Sequence, residues 1–275
     1  MTKILALIPE ASCTRGCLEA AAAAALVDPG AEIVAFHVRV DPMHIYSSDE
    51  EVAFQRLRES QEGTAEARAR DARREFEAWL ASASPQIAER THFKEAVGAE
   101  EETVQHESAA ARLLVMARPR NLDGHDAFHA AVFLSHKPLL LAPAHWKNEA
   151  GGRIERHILI AWKQTEQARR AVAGALPWLR KADKVSILTV TKEGQQLDTA
   201  KLIETLAAER VAADLLRAES IEGRTSRRLL ATAEELGASS LVMGAYRYGS
   251  MVEWALGATT RRTIAETTIP LFLAH

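Results

Sequence analysis

Short apolar runs alternate along this chain with segments of helical periodicity. In the first half the apolar runs cover residues 3–9, 31–38, 91–97, 111–117 and 137–143. Continuous apolar runs bounded by turn residues are typical of strands that crossover helices cover on both faces. The pattern therefore predicts a parallel sheet with helices packed on both sides.

The second half of the chain repeats this pattern, with runs at 157–162, 184–191, 211–219, 239–245 and 269–275. A polar, glycine-containing stretch at 144–153 separates the halves and has the composition of a linker. We predict an α/β protein of two tandem doubly wound domains, each with a five-stranded parallel sheet. Their predicted bounds are 1–148 and 149–275.

The two halves differ most at residues 48–83, where the first half carries a long charged segment with one apolar stripe. One interpretation is a solvated helix that packs on the sheet through that stripe. The other is an arm that docks against another subunit. Its basic residues alternate with acidic ones, so nothing in it indicates nucleic-acid recognition.

Composition and charge narrow the class of protein. The chain is 47% hydrophobic and 26% charged, with a formal net charge of −3, so it can bury a core and has no general attraction to nucleic acid or to anionic membranes. Its two cysteines are too few for a disulfide framework. The apolar runs are shorter than a bilayer span, and the first ten residues do not resemble a signal peptide. We expect a soluble, cytoplasmic protein.

The stretch GAYRYGSMVEWALGATT, residues 244–260, follows an apolar strand and is the main candidate for binding chemistry. Ser250 and Glu253 have the spacing of a capping box and predict a short helix from Met251 to Leu256. Gly257 is predicted to end that helix in a left-handed conformation, and Thr259 or Thr260 to cap the next one. Two helix N-termini at one crevice would attract an anion. Neither a Walker motif nor GxGxxG is present.

The sequence VMGAYRYGSMVEWALGATTRRTI, followed by IPLFLAH, resembles the C-terminal signature of the universal stress protein family, G-x2-G-x9-G-(S/T). ILIAWKQTEQARRAVAGALPWL and ATAEELGASSLVMGA resemble the family as well, and so do LLVMARP and KPLLLAP in the first half. The resemblance covers both halves and implies a tandem member with a Rossmann-like fold of the adenine-nucleotide alpha-hydrolase-like kind. It further implies a role in stress response. In members that bind ATP, the first two strands hold adenosine and the glycine motif holds the phosphates.

Carried over to this chain, the resemblance implies a set of cofactor-binding positions in the second half. They are Lys163, Val190, Met243, Gly244, Arg247, Gly257, Thr259 and Thr260.

Several of these positions depart from the family pattern. Arg247 stands where the middle glycine is expected, Ala258 where a small hydroxyl residue is expected, and Lys163 where an acidic residue is expected. Arg247 and Lys163 could contact phosphate, but Lys163 also replaces a carboxylate that could hold Mg²⁺ or a ribose hydroxyl. In the first half the glycine motif is missing, because ARPRNLDGHDAFH follows Met116.

Three hypotheses follow. The first is a non-enzymatic stress-response protein that acts by binding a ligand or a protein partner. The second is an ATP-binding member that uses the glycine loop, with or without slow ATP hydrolysis. The third is a metal or thiol sensor in the first half, built on Cys13, Cys17, His125 and His129, where each pair is four residues apart. Buried thiols and surface histidines are the simpler interpretation of these four residues.

The apolar closing runs of the two halves, KPLLLAP and IPLFLAH, are predicted to pair edge to edge. Pairing within one chain would make a pseudo-dimer, and pairing between chains would make a homodimer.

Overall fold

The computed structural model describes residues 2–40, 59–60, 63–120, 126–148, 152–191, 198–221, 224–245 and 256–275. The chain divides into two compact units, the first comprising Met1–Ser135 and Ala144–Lys147, the second comprising His136–Pro143 and Asn148–His275. Each unit is built of strands that alternate with helices. No helix among the described residues has the length and apolar character needed to cross a membrane.

The first unit contains a parallel sheet in the order β3-β2-β1-β4. Its strands are β1 (Lys3–Leu7), β2 (Glu32–Val40), β3 (Thr91–Gly98) and β4 (Leu113–Ala117). Its helices are α1 (Ala11–Ala25), α2 (Ala65–Leu80), α3 (Pro85–Ala88), α4 (Glu100–Ser108) and α5 (Asp126–His129), and a π-helical turn (Ala130–Leu134) continues α5. The central strands β1 and β4 are almost completely buried, as their unbroken apolar sequences require.

Helix α2 lies in the charged segment that was predicted as a long helix at 48–83, of which the structure describes residues 59–60 and 63–83. The helix begins after Thr64, whose hydroxyl accepts a hydrogen bond from Ala67 N at 3.2 Å. Its buried stripe, which ends in Phe76 and Trp79, packs against α1 and β2. This confirms, for the described part, the interpretation as a charged helix that packs through one apolar stripe.

The second unit contains a sheet in the order β5-β10-β9-β6-β7-β8. Its strands are β5 (Leu139–Ala142), β6 (His157–Ala161), β7 (Lys184–Thr191), β8 (Asp214–Glu219), β9 (Ser240–Gly244) and β10 (Leu271–Ala274). Its helices are α6 (Glu166–Leu179), α7 (Ala200–Ala208), α8 (Thr225–Glu235) and α9 (Ala258–Glu266). Strands β6 to β10 are mutually parallel, and this α/β architecture confirms the predicted fold class.

The exception to parallel pairing is β5, which runs antiparallel to β10 with Leu140 opposite Phe272. These are the two apolar closing runs for which edge pairing was predicted, and the structure confirms that they pair within one chain. Phe272 is fully buried and packs on Trp178 of α6, with ring centroids 5.0 Å apart. Strand pairing and aromatic packing therefore stabilise this edge of the unit together.

His157, the first residue of β6, is buried and hydrogen-bonded through both ring nitrogens. Nδ1 lies 3.1 Å from the carbonyl oxygen of Leu236 and therefore donates, while Nε2 lies 2.9 Å from Ser186 Oγ and accepts from that hydroxyl. This arrangement fixes one neutral tautomer of the ring. Burial lowers the pKa of His157, and the nearby cations Lys184 and Arg156 lower it further.

We expect the free energy of unfolding to decrease as the pH falls through the unfolded-state pKa of His157, about 6.5. Below that pH the unfolded chain takes up a proton that His157 in the native protein excludes. The contribution of His157 to the free energy of unfolding is therefore fully present above that pH and is lost below it. One proton limits the slope to about 1.4 kcal/mol per pH unit. Urea unfolding between pH 5 and 8 measures it. His157→Gln should flatten the dependence, whereas the exposed control His106→Gln should not; equal effects of the two variants would contradict this account.

Candidate functional site

The candidate site of the second unit lies at the carboxyl ends of three neighbouring parallel strands, β9, β6 and β7. Ile160 of β6 is paired with Val242 on one side and with Ile187 on the other. The chain leaves β6 towards β7, while β9 lies on the opposite side of β6, so the strand order reverses between β6 and β9. In open parallel sheets a ligand crevice forms at this reversal, outside the carboxyl ends of the strands.

Four of the predicted site residues lie along this edge. Lys163 is exposed two residues beyond the end of β6, and Val190 is half-buried near the end of β7. Met243, which is buried, and Gly244 are the last two residues of β9. The topology therefore brings together residues that are up to 81 positions apart, from 163 to 244, in the sequence.

Gly244 is in very close contact with the first turn of α6. A Cβ atom at this position would lie 2.7 Å from Ala168 N and 2.9 Å from the carbonyl carbon of Gln167. Real Cβ atoms essentially never approach backbone atoms so closely, so a side chain here would force the helix away from the strand. The first glycine of the motif thus has a packing role that sequence reasoning missed.

The N-terminus of α6 is satisfied by its own side chains. Thr165 Oγ1 accepts a hydrogen bond from Ala168 N at 3.4 Å, and Glu166 places a carboxylate in the first turn. Hydrogen bonds from Arg169 and Arg170, at 3.0 and 3.2 Å, lower the pKa of Glu166 and keep it negative. This carboxylate already complements the positive end of the α6 dipole.

Helix α9 begins differently. Gly257 is its N-terminal cap, with φ −56° and ψ 146°, so the prediction that Gly257 adopts a left-handed helix stop is wrong. Thr259 and Thr260 lie inside the first turn instead of capping it, and no side-chain cap is present among the described residues. Thr260 is 1% exposed, and its Oγ1 has no hydrogen-bond partner among the described residues. The start of α9 therefore combines uncapped backbone N–H groups with an unsatisfied buried hydroxyl.

Two further sequence predictions concern the segment between β9 and α9. Arg247 and the helix predicted from Met251 to Leu256, with its capping pair Ser250 and Glu253, fall almost entirely outside the described residues. Of this segment, only Ala245, Leu256 and Gly257 are described.

The equivalent edge of the first unit is bridged by a carboxylate. Glu10, which follows β1 and is 6% exposed, accepts a hydrogen bond from Arg120 N at 2.9 Å. The same oxygen, Oε1, lies 3.3 Å from Cys13 Sγ. Glu10 thereby links the segment after β1 to the segment after β4.

The two cysteines of α1 are free and buried. Cys13 Sγ lies 3.3 Å from the Arg118 carbonyl oxygen as well as from Glu10, and Cys17 Sγ lies 3.4 Å from the Leu7 carbonyl oxygen. Burial raises the pKa of both thiols, that of Cys17 to about 12, and the Glu10 charge raises that of Cys13 further. Thiols in such surroundings carry almost no thiolate at neutral pH and are poorly reactive.

The histidines of the sensor hypothesis are only partly described. His129 Nδ1 forms a hydrogen bond with Glu101 Oε1, and His125 lies outside the described residues. Among the residues that the structure does describe, no group of three or more His, Cys, Asp or Glu side chains could hold a metal ion.

The fold and this crevice define a doubly wound α/β protein of the kind that binds ligands at strand ends. Residues 155–275 match the model of the universal stress protein family. This match confirms, for the second half of the chain, the resemblance to that family that the sequence indicated. No curated protein matches the chain significantly.

Solved structures extend the likeness in fold to the whole chain. A universal stress protein from Archaeoglobus fulgidus DSM 4304 has a TM-score of 0.68 and 16% identity, with 99% of this chain and 95% of that chain covered. A functionally unknown protein from Pseudomonas aeruginosa PAO1 has a TM-score of 0.54 and 14% identity, with coverage of 100% and 92%. At these identities the likeness concerns the fold, and it supports the α/β class for both halves.

We expect Gly244→Ala to lower the free energy of unfolding by about 1–3 kcal/mol, the usual cost of an extra methyl group in a tightly packed site. Gly30→Ala is the matched control, because a Cβ there would be 3.6 Å from its nearest neighbour, an ordinary contact. Urea unfolding of both variants measures the difference. If the two substitutions cost the same, the contact between β9 and α6 does not require glycine.

For the thiols, we expect native protein to react with 5,5′-dithiobis(2-nitrobenzoate) at least about a hundredfold more slowly than unfolded protein, since each unit of raised pKa removes about nine-tenths of the thiolate. Arg15→Cys, an exposed position on the same helix, provides a reactive control thiol. Rapid native labelling of Cys13 or Cys17, or a disulfide between them in mild oxidant without unfolding, would support the sensor hypothesis instead.

Proposed function

We propose that this is a non-enzymatic stress-response protein that acts by binding a ligand, and that the second unit takes up an anionic group at the start of α9. The family match of residues 155–275 supports the stress-response role. The reversal of strand order between β6 and β9 supports a location at the carboxyl ends of these strands.

The observation that carries the proposal is the contrast between two helix N-termini in one unit. Helix α6 has a side-chain cap and a carboxylate in its first turn, whereas α9 has no acidic residue in its first turn and no side-chain cap from the part of the chain that the structure describes. Thr260 adds a hydroxyl that is buried and has no partner among the described residues. An anion bound here would accept hydrogen bonds from Thr260 and from the first backbone N–H groups of the helix, and would complement its dipole.

The charge at the end of β6 supports an anion bound without a metal. Lys163 is an exposed cation at the position where the family resemblance implies an acid. A carboxylate there could hold Mg²⁺ beside the phosphates, and a lysine cannot. Because phosphoryl transfer depends on such metal positioning, Lys163 favours binding over catalysis.

A nucleotide is the alternative ligand, and the positions of two side chains favour it. Val190 and Met243 lie one residue before the ends of β7 and β9, the two strands on either side of β6. The family resemblance implies that these positions line the adenine pocket. A nucleotide lying across β6 could place its base near them and a phosphate at α9. On this alternative the protein is an ATP-binding member, with or without slow hydrolysis.

Calorimetric titration with ATP, AMP and inorganic phosphate, each with and without Mg²⁺, tests the proposal. We expect saturable binding of at least one of these anions without a requirement for Mg²⁺, and no release of phosphate from ATP. Thr260→Val keeps the shape of the side chain and removes its hydroxyl. The loss of one hydrogen bond to a charged group, about 1.5–3 kcal/mol, should weaken binding roughly 10- to 100-fold.

Thr263→Val is the matched control, because Thr263 is a buried threonine on the same helix whose hydroxyl already donates to the Thr259 carbonyl at 2.8 Å. It should leave the affinity unchanged. Arg247→Gly restores the middle glycine, and a gain of ATP binding would show that Arg247 closes the loop to nucleotides. No heat with any anion, or equal weakening by both threonine variants, would contradict the anion site.

A further inference from the structure

A second cavity in the same unit lies between helices α6 and α7 and has a volume of about 230 Å³. Right-handed crossovers place these two helices on one face of the sheet and α8 and α9 on the other, and α8 and α9 are in contact with each other. None of the residues assigned to the anion site lines this cavity. It is a separate space that the proposed function does not use.

The walls of the cavity are mainly apolar. The apolar side chains come from both helices and from the residue that follows β6, and they are Trp162, Val172, Ala173, Leu176 and Leu202. Trp162 is 6% exposed, and its Nε1 donates to the Asp198 carbonyl oxygen at 3.1 Å, so the indole ring is held in place. A rigid apolar lining of this kind favours a ligand with an apolar body.

Three charged side chains line the rim, Arg169, Lys201 and Asp198. Asp198 accepts a hydrogen bond from Ala200 N at 2.9 Å, and Arg169 is paired with Glu166 at 3.0 Å. Lys201, an exposed residue in the first turn of α7, has no ion-pair partner among the described residues. The rim thus presents, next to the apolar walls, one ammonium group that forms no ion pair with a described residue, and one carboxylate, Asp198, that is held by a backbone N–H.

We propose that this cavity binds a small monocarboxylate, with the apolar body between α6 and α7 and the carboxylate paired with Lys201. The volume lies below the range of roughly 300–1,000 Å³ that drug-sized ligands occupy, so the ligand is compact. Each CH₂ group of its apolar body that becomes buried should strengthen binding about fourfold. This inference is independent of the anion site at α9.

Octanoate is the probe for this site, measured by calorimetry and by the change in tryptophan fluorescence on titration. We expect saturable binding that is at least about tenfold tighter than binding of octylamine, which has the same chain and the opposite charge. Lys201→Gln should weaken octanoate binding by about tenfold, a difference of about 1.4 kcal/mol. Lys181→Gln, an exposed lysine outside the cavity, is the matched control and should have no effect.

Filling the cavity tests the location of the apolar body. Ala173 is exposed on α6, so Ala173→Phe can be accommodated in the helix while it occupies the space, and it should abolish octanoate binding. If this variant does not fold, Thr205→Phe, from the exposed wall of α7, serves the same purpose. Absence of saturable octanoate binding, equal affinity for octylamine, or full affinity in a folded cavity-filling variant would each overturn the proposal.

Discussion

In the second unit, the contact between Gly244 and the first turn of α6 is the constraint on which the candidate site depends. The helix can lie against the end of β9 only because position 244 has no side chain. This contact fixes the end of β9 relative to the helix that follows β6, and so fixes two of the elements that border the crevice. It also explains the first glycine of the motif without reference to any ligand, whereas the proposed anion site rests on Thr260 and on the start of α9, which have no side-chain partner or cap among the described residues.

The sequence predicted most of the fold because the central strands are buried on both faces and therefore appear as unbroken apolar runs. The pairing of β5 with β10 was predictable for the same reason. Gly257 was assigned wrongly because a glycine between two predicted helices can end the first or begin the second, and the pattern does not distinguish these roles. The crowding at Gly244 could not be predicted, because its partners Gln167 and Ala168 lie about 76 positions earlier in the sequence.

In the first unit, too, local sequence patterns could not predict which side chains are buried or which distant residues are in contact. The spacing of Cys13 and Cys17 placed both thiols on one face of a helix, which is correct, but it did not show that this face is buried. The bridge from Glu10 to Arg120 joins residues 110 positions apart and has no local signature. In the first unit the Glu10 carboxylate lies between the segments that follow β1 and β4 and accepts a hydrogen bond from a backbone N–H group. In the second unit the backbone N–H groups at the start of α9 have no such carboxylate among the described residues.

The central claim is that the start of α9 binds an anion. The most direct measurement is a titration of ¹⁵N-labelled protein with ATP, without Mg²⁺, followed through the backbone amide signals of residues 258–260. The account predicts saturable shifts of these signals, with a midpoint that moves to roughly 10- to 100-fold higher ATP concentration in Thr260→Val and stays unchanged in Thr263→Val. Saturable shifts confined to other parts of the chain, with residues 258–260 unchanged, would contradict it.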